Sequence, residues 1–161
     1  MAKPTRNGRP DKILSSAPTF FATTKTSQGL PLLQSERNAA LMIDSLRSYV
    51  VAGKFRLHDF VVMPDPVHLL MTVGAGMTIE KAMQLIKRGF SYRLRKECGH
   101  LGEVWQRGFS EQRVENRPSF LQHREYIAAN PVKAGLVEAS EEYPYCFTYL
   151  ARKKAAGAKA S

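Results

Sequence analysis

The alternation of apolar and polar residues divides the chain into strands and helices. Thr19-Phe20-Phe21-Ala22-Thr23-Thr24 is short, aromatic and β-branched, which predicts a strand. A loop with Gly29 and Pro31 follows. Ser35 then predicts an N-cap for a helix to about Ala52, because Ala39, Met42, Ile43, Leu46, Tyr49 and Val50 recur at helical spacing. Gly53 supplies the C-terminal stop. Phe55 to Met63 predicts a strand, Pro64-Asp65-Pro66 interrupts it, and Val67 to Val73 predicts its successor. Thr78 caps the next helix, whose Ile79, Met83, Ile86 and Phe90 form an apolar stripe. Lys81, Gln84, Arg88, Ser91 and Arg95 form a polar stripe on another face. Phe109 to Val114 predicts a strand and Pro118 to Asn130 a third helix. Pro131 is expected to end that helix, since the residue before a proline disfavours the helical region. The order β-α-β-β-α-β-α predicts an α+β ferredoxin-like sandwich, an antiparallel sheet with helices on one face. Residues 17–150 are expected to be one domain, flanked by a flexible basic arm (1–16) and a basic tail (151–161).

Charge adds a partner class. The chain has 161 residues and a formal net charge of +10, a surplus that favours a polyanion because each neutralised phosphate releases counterions. Nucleic acid is the first candidate and an anionic membrane surface the second. Cys98 and Cys146 are too few for a disulfide scaffold and are read as reduced thiols. No apolar run approaches the roughly 20 residues that span a bilayer, and no apolar segment follows the basic first residues as in a secretory signal. The expected location is the cytoplasm, at the nucleoid if the partner is DNA.

Three segments carry candidate chemistry. His68 lies in an apolar strand just after the proline-rich kink, either as a core histidine or as a ligand. Tyr126 and Asn130 are four apart and share a helix face one turn from each other. Glu103-Val104-Trp105-Gln106-Arg107-Gly108-Phe109 lies in a basic stretch: between Lys81 and Arg124, ten Lys or Arg face four Glu. Phe90, Tyr92, Trp105 and Phe109 are interleaved there, and stacking rings beside phosphate-binding charges suit single strands. Lys87, Arg88, Arg95, Trp105, Arg107 and Arg113 are the expected nucleic-acid contacts. An RNA-binding module shares the β-α-β-β-α-β order, but the Phe109 strand lacks a ribonucleoprotein-type aromatic signature.

Taken together these segments resemble one family. Met63-Pro64-Asp65-Pro66-Val67-His68-Leu69-Leu70 is similar to the Met-Pro-Asn/Asp-His-x-His-Leu-Leu signature of REP-associated tyrosine transposases and related single-tyrosine HUH transposases. Gly102 to Phe109 resembles the family's Trp-Gln segment, Tyr126 to Val137 its Tyr-Ile-x-x-Asn-Pro-Val block, and Glu142-Tyr143-Pro144-Tyr145 its closing aromatic run. These blocks occur in family order over roughly residues 18 to 149. The resemblance implies cleavage and rejoining of single-stranded DNA at hairpin repeats. It makes Tyr126 the nucleophile and His68 and Asn130 ligands of a divalent Mg²⁺ or Mn²⁺. It also allows a homodimer.

The sequence departs from the signature at one position. Pro66 stands where the first histidine belongs, and proline offers a metal no side-chain donor. Asp65 adjoins the gap and is the candidate compensating ligand; His58 is the more distant substitute. A hairpin-DNA-binding protein with impaired catalysis is therefore the alternative reading.

Overall fold

The computed structural model describes residues 17–160, with side chains to residue 158; the expected arm at 1–16 lies outside the described residues. Four strands form one antiparallel sheet: β1 (Thr19–Thr24), β2 (Arg56–Val62), β3 (Val67–Thr72) and β4 (Ser110–Val114), in the order β2-β3-β1-β4. Between them run α1 (Glu36–Val51) and α2 (Ile79–Cys98), and α3 (Arg117–Lys133) and α4 (Phe147–Ala160) follow. The expected ferredoxin-like order is therefore present.

The helix starts are made by the expected side chains. Ser35 accepts the Asn38 N–H at 3.1 Å and Thr78 the Lys81 N–H at 3.1 Å, each satisfying one donor of a first turn. Asn116 does the same for Ser119 at the head of α3. Gly99 ends α2 with φ 68°, a left-handed conformation glycine adopts without a Cβ penalty. Gly89 marks the closest approach of α1 and α2: a Cβ there would run into the Tyr49 side chain.

The sheet buries both faces. Ala22, Phe60, Val62, Leu69 and Met71 point to one side, where they pack with Met42, Leu46, Met83, Ile86 and Phe90 of α1 and α2. The alternate residues Val61 and Leu70 point to the other side and pack with Ile127 of α3 and with Tyr143. Helices were expected on one face. The first two lie there, and α3 covers the second face, held by few apolar residues: Ile127 and Pro131 are its buried ones. An ion pair adds to that hold. Arg124 of α3 reaches Asp59 of β2 at 3.2 Å, and Asp59 is buried at an irregularity in the β2–β3 register.

Two boundaries differ from the sequence reading. Pro131 does not end α3, which continues to Lys133. A proline costs its own missing N–H bond, but here that loss falls in the last turn. Ala134 N–H still reaches Asn130 O at 2.9 Å and Leu136 N–H reaches Pro131 O at 2.9 Å, so the ladder closes around it. The segment expected as a basic tail is helical to Ala160, anchored by Phe147 and Leu150 against the core of α1 and α2.

The closing aromatic run has a structural task. Tyr143 donates its buried hydroxyl to Val62 O at 2.6 Å, and Val62 N–H donates to Tyr145 O at 2.9 Å. Tyr143→Phe is expected to cost about 1.5 kcal/mol, because it leaves a buried carbonyl short of its partner. Urea unfolding measures this, and a midpoint equal to that of the unmodified protein speaks against it.

Candidate functional site

The second face of the sheet brings together the two blocks expected to cooperate. His68 sits on β3 between Thr23 of β1 and Val61 of β2 in the strand register. The Thr23 hydroxyl meets His68 Nδ1 at 2.8 Å, which leaves Nε2 without a hydrogen bond among the described residues. Phe21, two residues earlier on the same face, stacks on the imidazole with centroids 5.4 Å apart and planes 15° from parallel. Tyr126 comes down from α3 and meets both rings edge-on, at 5.4 Å from His68 and 5.8 Å from Phe21. Residues 21, 68 and 126 thus form one aromatic cluster with a phenol at its outer edge. Tyr126 is 44% exposed, its hydroxyl makes no hydrogen bond within the described residues, and the Lys133 ammonium lies 5.7 Å from its ring centre.

Burial sets the charge state of the imidazole. Desolvation pushes His68 down to about 4, against a weaker upward pull from Asp65. The ring is therefore neutral at pH 7, the form that donates a lone pair. A stability consequence follows. The unfolded chain takes up a proton on this residue as pH falls through 6.5, and the native fold refuses it until about pH 4. The stabilisation is thus full above 6.5 and lost on the way down to 4, to the extent of roughly 3 kcal/mol. Urea midpoints at pH 7 and pH 4.5 in chelator should fall further for the unmodified protein than for His68→Phe. Equal falls speak against the assignment.

The remaining expected ligands are placed as follows. Asn130 lies one turn beyond Tyr126 and is half-buried; its amide nitrogen donates to Tyr126 O at 3.0 Å, leaving the side-chain oxygen as the available donor. Asp65 accepts the Thr26 N–H at 2.7 Å and so fixes the loop after β1 with one of its two oxygens. Pro66 presents only its carbonyl, which takes the Met63 N–H at 3.2 Å. His58 is elsewhere. It bonds Thr72 Oγ1 at 2.6 Å, four positions along β3 from His68 and so about 13 Å away, and it packs against Phe120. Among the described residues no group of three or more His, Cys, Asp or Glu is placed to hold a metal. His68 and Asn130 supply two donors of the type a divalent cation takes, and the position at Pro66 supplies none. This set does not by itself fit the three-ligand site.

One residue escaped the sequence reading. His123, three positions before Tyr126, lies 4.6 Å from the Phe21 ring and bonds Ser119 O at 2.8 Å through Nδ1. The signal was its i, i+3 spacing from Tyr126, which puts both on one helix face.

The expected nucleic-acid contacts separate into two places. Lys87, Arg88, Arg95 and Trp105 line one groove, together with Ser91, Tyr92 and Lys96. Trp105 is not a free platform there: it packs against Phe90 at 5.6 Å and its indole N–H donates to Lys87 O at 3.0 Å. The Lys87 ammonium donates to Gln106 O at 2.9 Å and Gly108 O at 2.6 Å, and burial lowers its pKa. Arg107 is exposed on the intervening loop. Arg113 lies apart, on β4, with its guanidinium 5.6 Å from the Phe20 ring.

Residues 31–130 match the family described as IS200-like transposase. The proposed REP-associated tyrosine transposase of Haemophilus influenzae is 31% identical over 131 residues, covering 71% of this chain and 74% of that protein. The REP-associated tyrosine transposase of Escherichia coli is 30% identical over 92 residues, covering 56% of this chain and 53% of that one. In fold, the chain is similar to a REP-associated tyrosine transposase bound to a REP hairpin, with TM-score 0.65, 24% identity, and 91% of this chain and 82% of that chain covered. It is also similar to a proposed transposase of Deinococcus radiodurans, with TM-score 0.57, 22% identity, and 78% and 95% covered.

Proposed function

This chain belongs to the IS200-like transposase family, and on that premise we propose that it binds DNA hairpins and cleaves a single strand beside them through Tyr126. The observation that carries this reading is the meeting of Tyr126 with His68 across the sheet face, with the phenol exposed and its hydroxyl uncommitted. An exposed phenol can approach a phosphate, which a buried one cannot. Attack by the Tyr126 oxygen forms a bond to phosphorus and breaks the bond from phosphorus to the 3′ oxygen. The phenolic proton passes to solvent and the departing oxygen takes one up, leaving a 5′ phosphotyrosine and a free 3′ hydroxyl. Reversal by another 3′ hydroxyl rejoins the strand, since the phosphotyrosine keeps the phosphodiester energy. The neighbouring Lys133 ammonium favours the negative charge of an arriving phosphate. Metal-free chemistry of this kind is slow. His68 and Asn130 would be the residues to hold a Mg²⁺ or Mn²⁺, which would supply charge neutralisation at the phosphate, and Pro66 adds no third donor.

The test is to mix the protein with a hairpin labelled in its flanking single strand, in Mg²⁺ and in Mn²⁺. A denaturation-resistant adduct whose tryptic peptide carries the label on Tyr126 is expected. No adduct in either metal sinks the cleavage half.

Pro66 favours a second reading, a hairpin-binding protein with impaired catalysis on the same fold. It expects binding with a steep salt dependence and no metal-dependent cleavage. No helix among the described residues is long and apolar enough to cross a membrane. A DNA substrate puts the protein at the nucleoid, and a homodimer is compatible with either reading.

A further inference from the structure

We propose that the groove between α2 and the loop of residues 102–108 binds single-stranded DNA, with a base on the exposed ring of Tyr92 and phosphates on Arg88, Arg95 and Lys96. This deepens the DNA-binding half of the proposed function and is independent of cleavage. Arg88, Tyr92 and Arg95 recur at i, i+4 and i+7 on α2, so they share one face, with the Cα atoms of the two arginines roughly 10 Å apart along the axis. Tyr92 is 61% exposed, an unusual position for a large ring. The Lys96 ammonium holds it, 5.5 Å from its centre and 3.2 Å from its hydroxyl.

The groove is preformed. Its wall is the Trp105 indole, tied to Lys87 O and packed on Phe90. Lys87 straps residues 106 and 108 to α2, and Arg95 donates to Gly102 O at 3.3 Å. Cations line it, with Ser91 among them, and no carboxylate does among the described residues. Two nearby carboxylates, Glu97 of α2 and Asp44 of α1, are both paired with Arg93. Arg88 has no partner among the described residues.

The ring decides between occupants. A duplex offers phosphates but keeps its bases stacked inside, so it would leave Tyr92 unused. A single strand offers both a phosphate and an unstacked base. The sequence reading counted Tyr92 with Phe90, Trp105 and Phe109 as interleaved rings and named Trp105 among the contacts. The geometry gives the stacking task to Tyr92, because the indole is committed to the core.

The test is fluorescence anisotropy with the full chain in chelator, using a labelled unstructured oligothymidylate and, separately, a fully paired hairpin of equal charge. Tyr92→Ala is expected to weaken oligothymidylate binding about tenfold with an unchanged salt slope, and Tyr92→Phe to bind as the unmodified protein does. Arg88→Ala is expected to lower the slope of log affinity against log salt by about 0.7. Tyr92→Ala should leave hairpin binding within about twofold. Oligothymidylate binding unchanged in Tyr92→Ala overturns the groove while leaving hairpin recognition standing. An equal loss on the paired hairpin also overturns it, because stacking is then not the contact. Unmodified protein that binds neither probe overturns the groove and the DNA-binding reading together.

Discussion

Tyr126→Phe is expected to abolish the covalent protein–DNA adduct and leave hairpin affinity within about twofold. The substitution removes one oxygen and nothing else that the fold uses. The ring keeps its edge-on contacts with His68 and Phe21, and the Lys133 ammonium keeps its place over it. The lost hydroxyl has no hydrogen bond within the described residues, so no buried partner is stranded. Stability should therefore stay within roughly 0.5 kcal/mol, as for a surface change. The chemistry, by contrast, loses its nucleophile, and Tyr143 does not replace it. Tyr143 donates its hydroxyl to Val62 O from a buried position, and burial raises its pKa. Adduct yield on a denaturing gel, beside anisotropy on the same preparation, separates the two effects. An adduct that persists in Tyr126→Phe moves the nucleophile to another residue. A parallel loss of affinity makes Tyr126 a binding residue.

Much of this arrangement was legible in the sequence, and the limits have physical causes. The strand Thr19–Thr24 and the caps at Ser35 and Thr78 follow from local propensity and hydrogen bonding, which act over a few residues. The family resemblance rested on blocks that are continuous in sequence. The face covered by α3 was not legible, because the helix buries only Ile127 and Pro131 and shows no broad apolar stripe. The helix at Phe147–Ala160 was missed because its Ala- and Lys-rich end reads as a solvated tail. Yet Ala, Lys and Arg are good helix formers once Phe147 and Leu150 are anchored. In the candidate site, the Tyr126–Asn130 spacing was readable as one helix turn, but the meeting of Phe21, His68 and Tyr126 depends on strand pairing and on which face α3 covers. The same limit left the rings undistinguished: spacing marks Trp105 and Tyr92 alike as aromatics in a basic stretch, and the packing of Trp105 against Phe90 and the exposure of Tyr92 set them apart.

Pro66→His is expected to raise metal-dependent adduct formation about a hundredfold at limiting Mn²⁺, equivalent to roughly 2.7 kcal/mol at 1.36 kcal/mol per decade. Position 66 immediately precedes β3, whose His68 and Leu70 point to the face that Tyr126 covers, and the prediction rests on the strand's alternation carrying one residue further. An imidazole there would add a third donor to His68 Nε2 and the Asn130 oxygen, and both of those are free of hydrogen bonds now. The carbonyl of residue 66, which accepts the Met63 N–H, is present whichever residue stands there. Asp65 is engaged with Thr26 through one of its two oxygens. Pro66→Ala is the control, since it removes the pyrrolidine ring without adding a donor. The measurement is adduct yield against Mn²⁺ concentration for the three proteins. A response in Pro66→His alone assigns the effect to the ligand. An equal response in Pro66→Ala makes the ring, and not the missing imidazole, the obstacle. Unmodified protein that already matches Pro66→His at low Mn²⁺ removes the case for impaired catalysis, because two protein donors would then suffice with the substrate phosphate completing the shell.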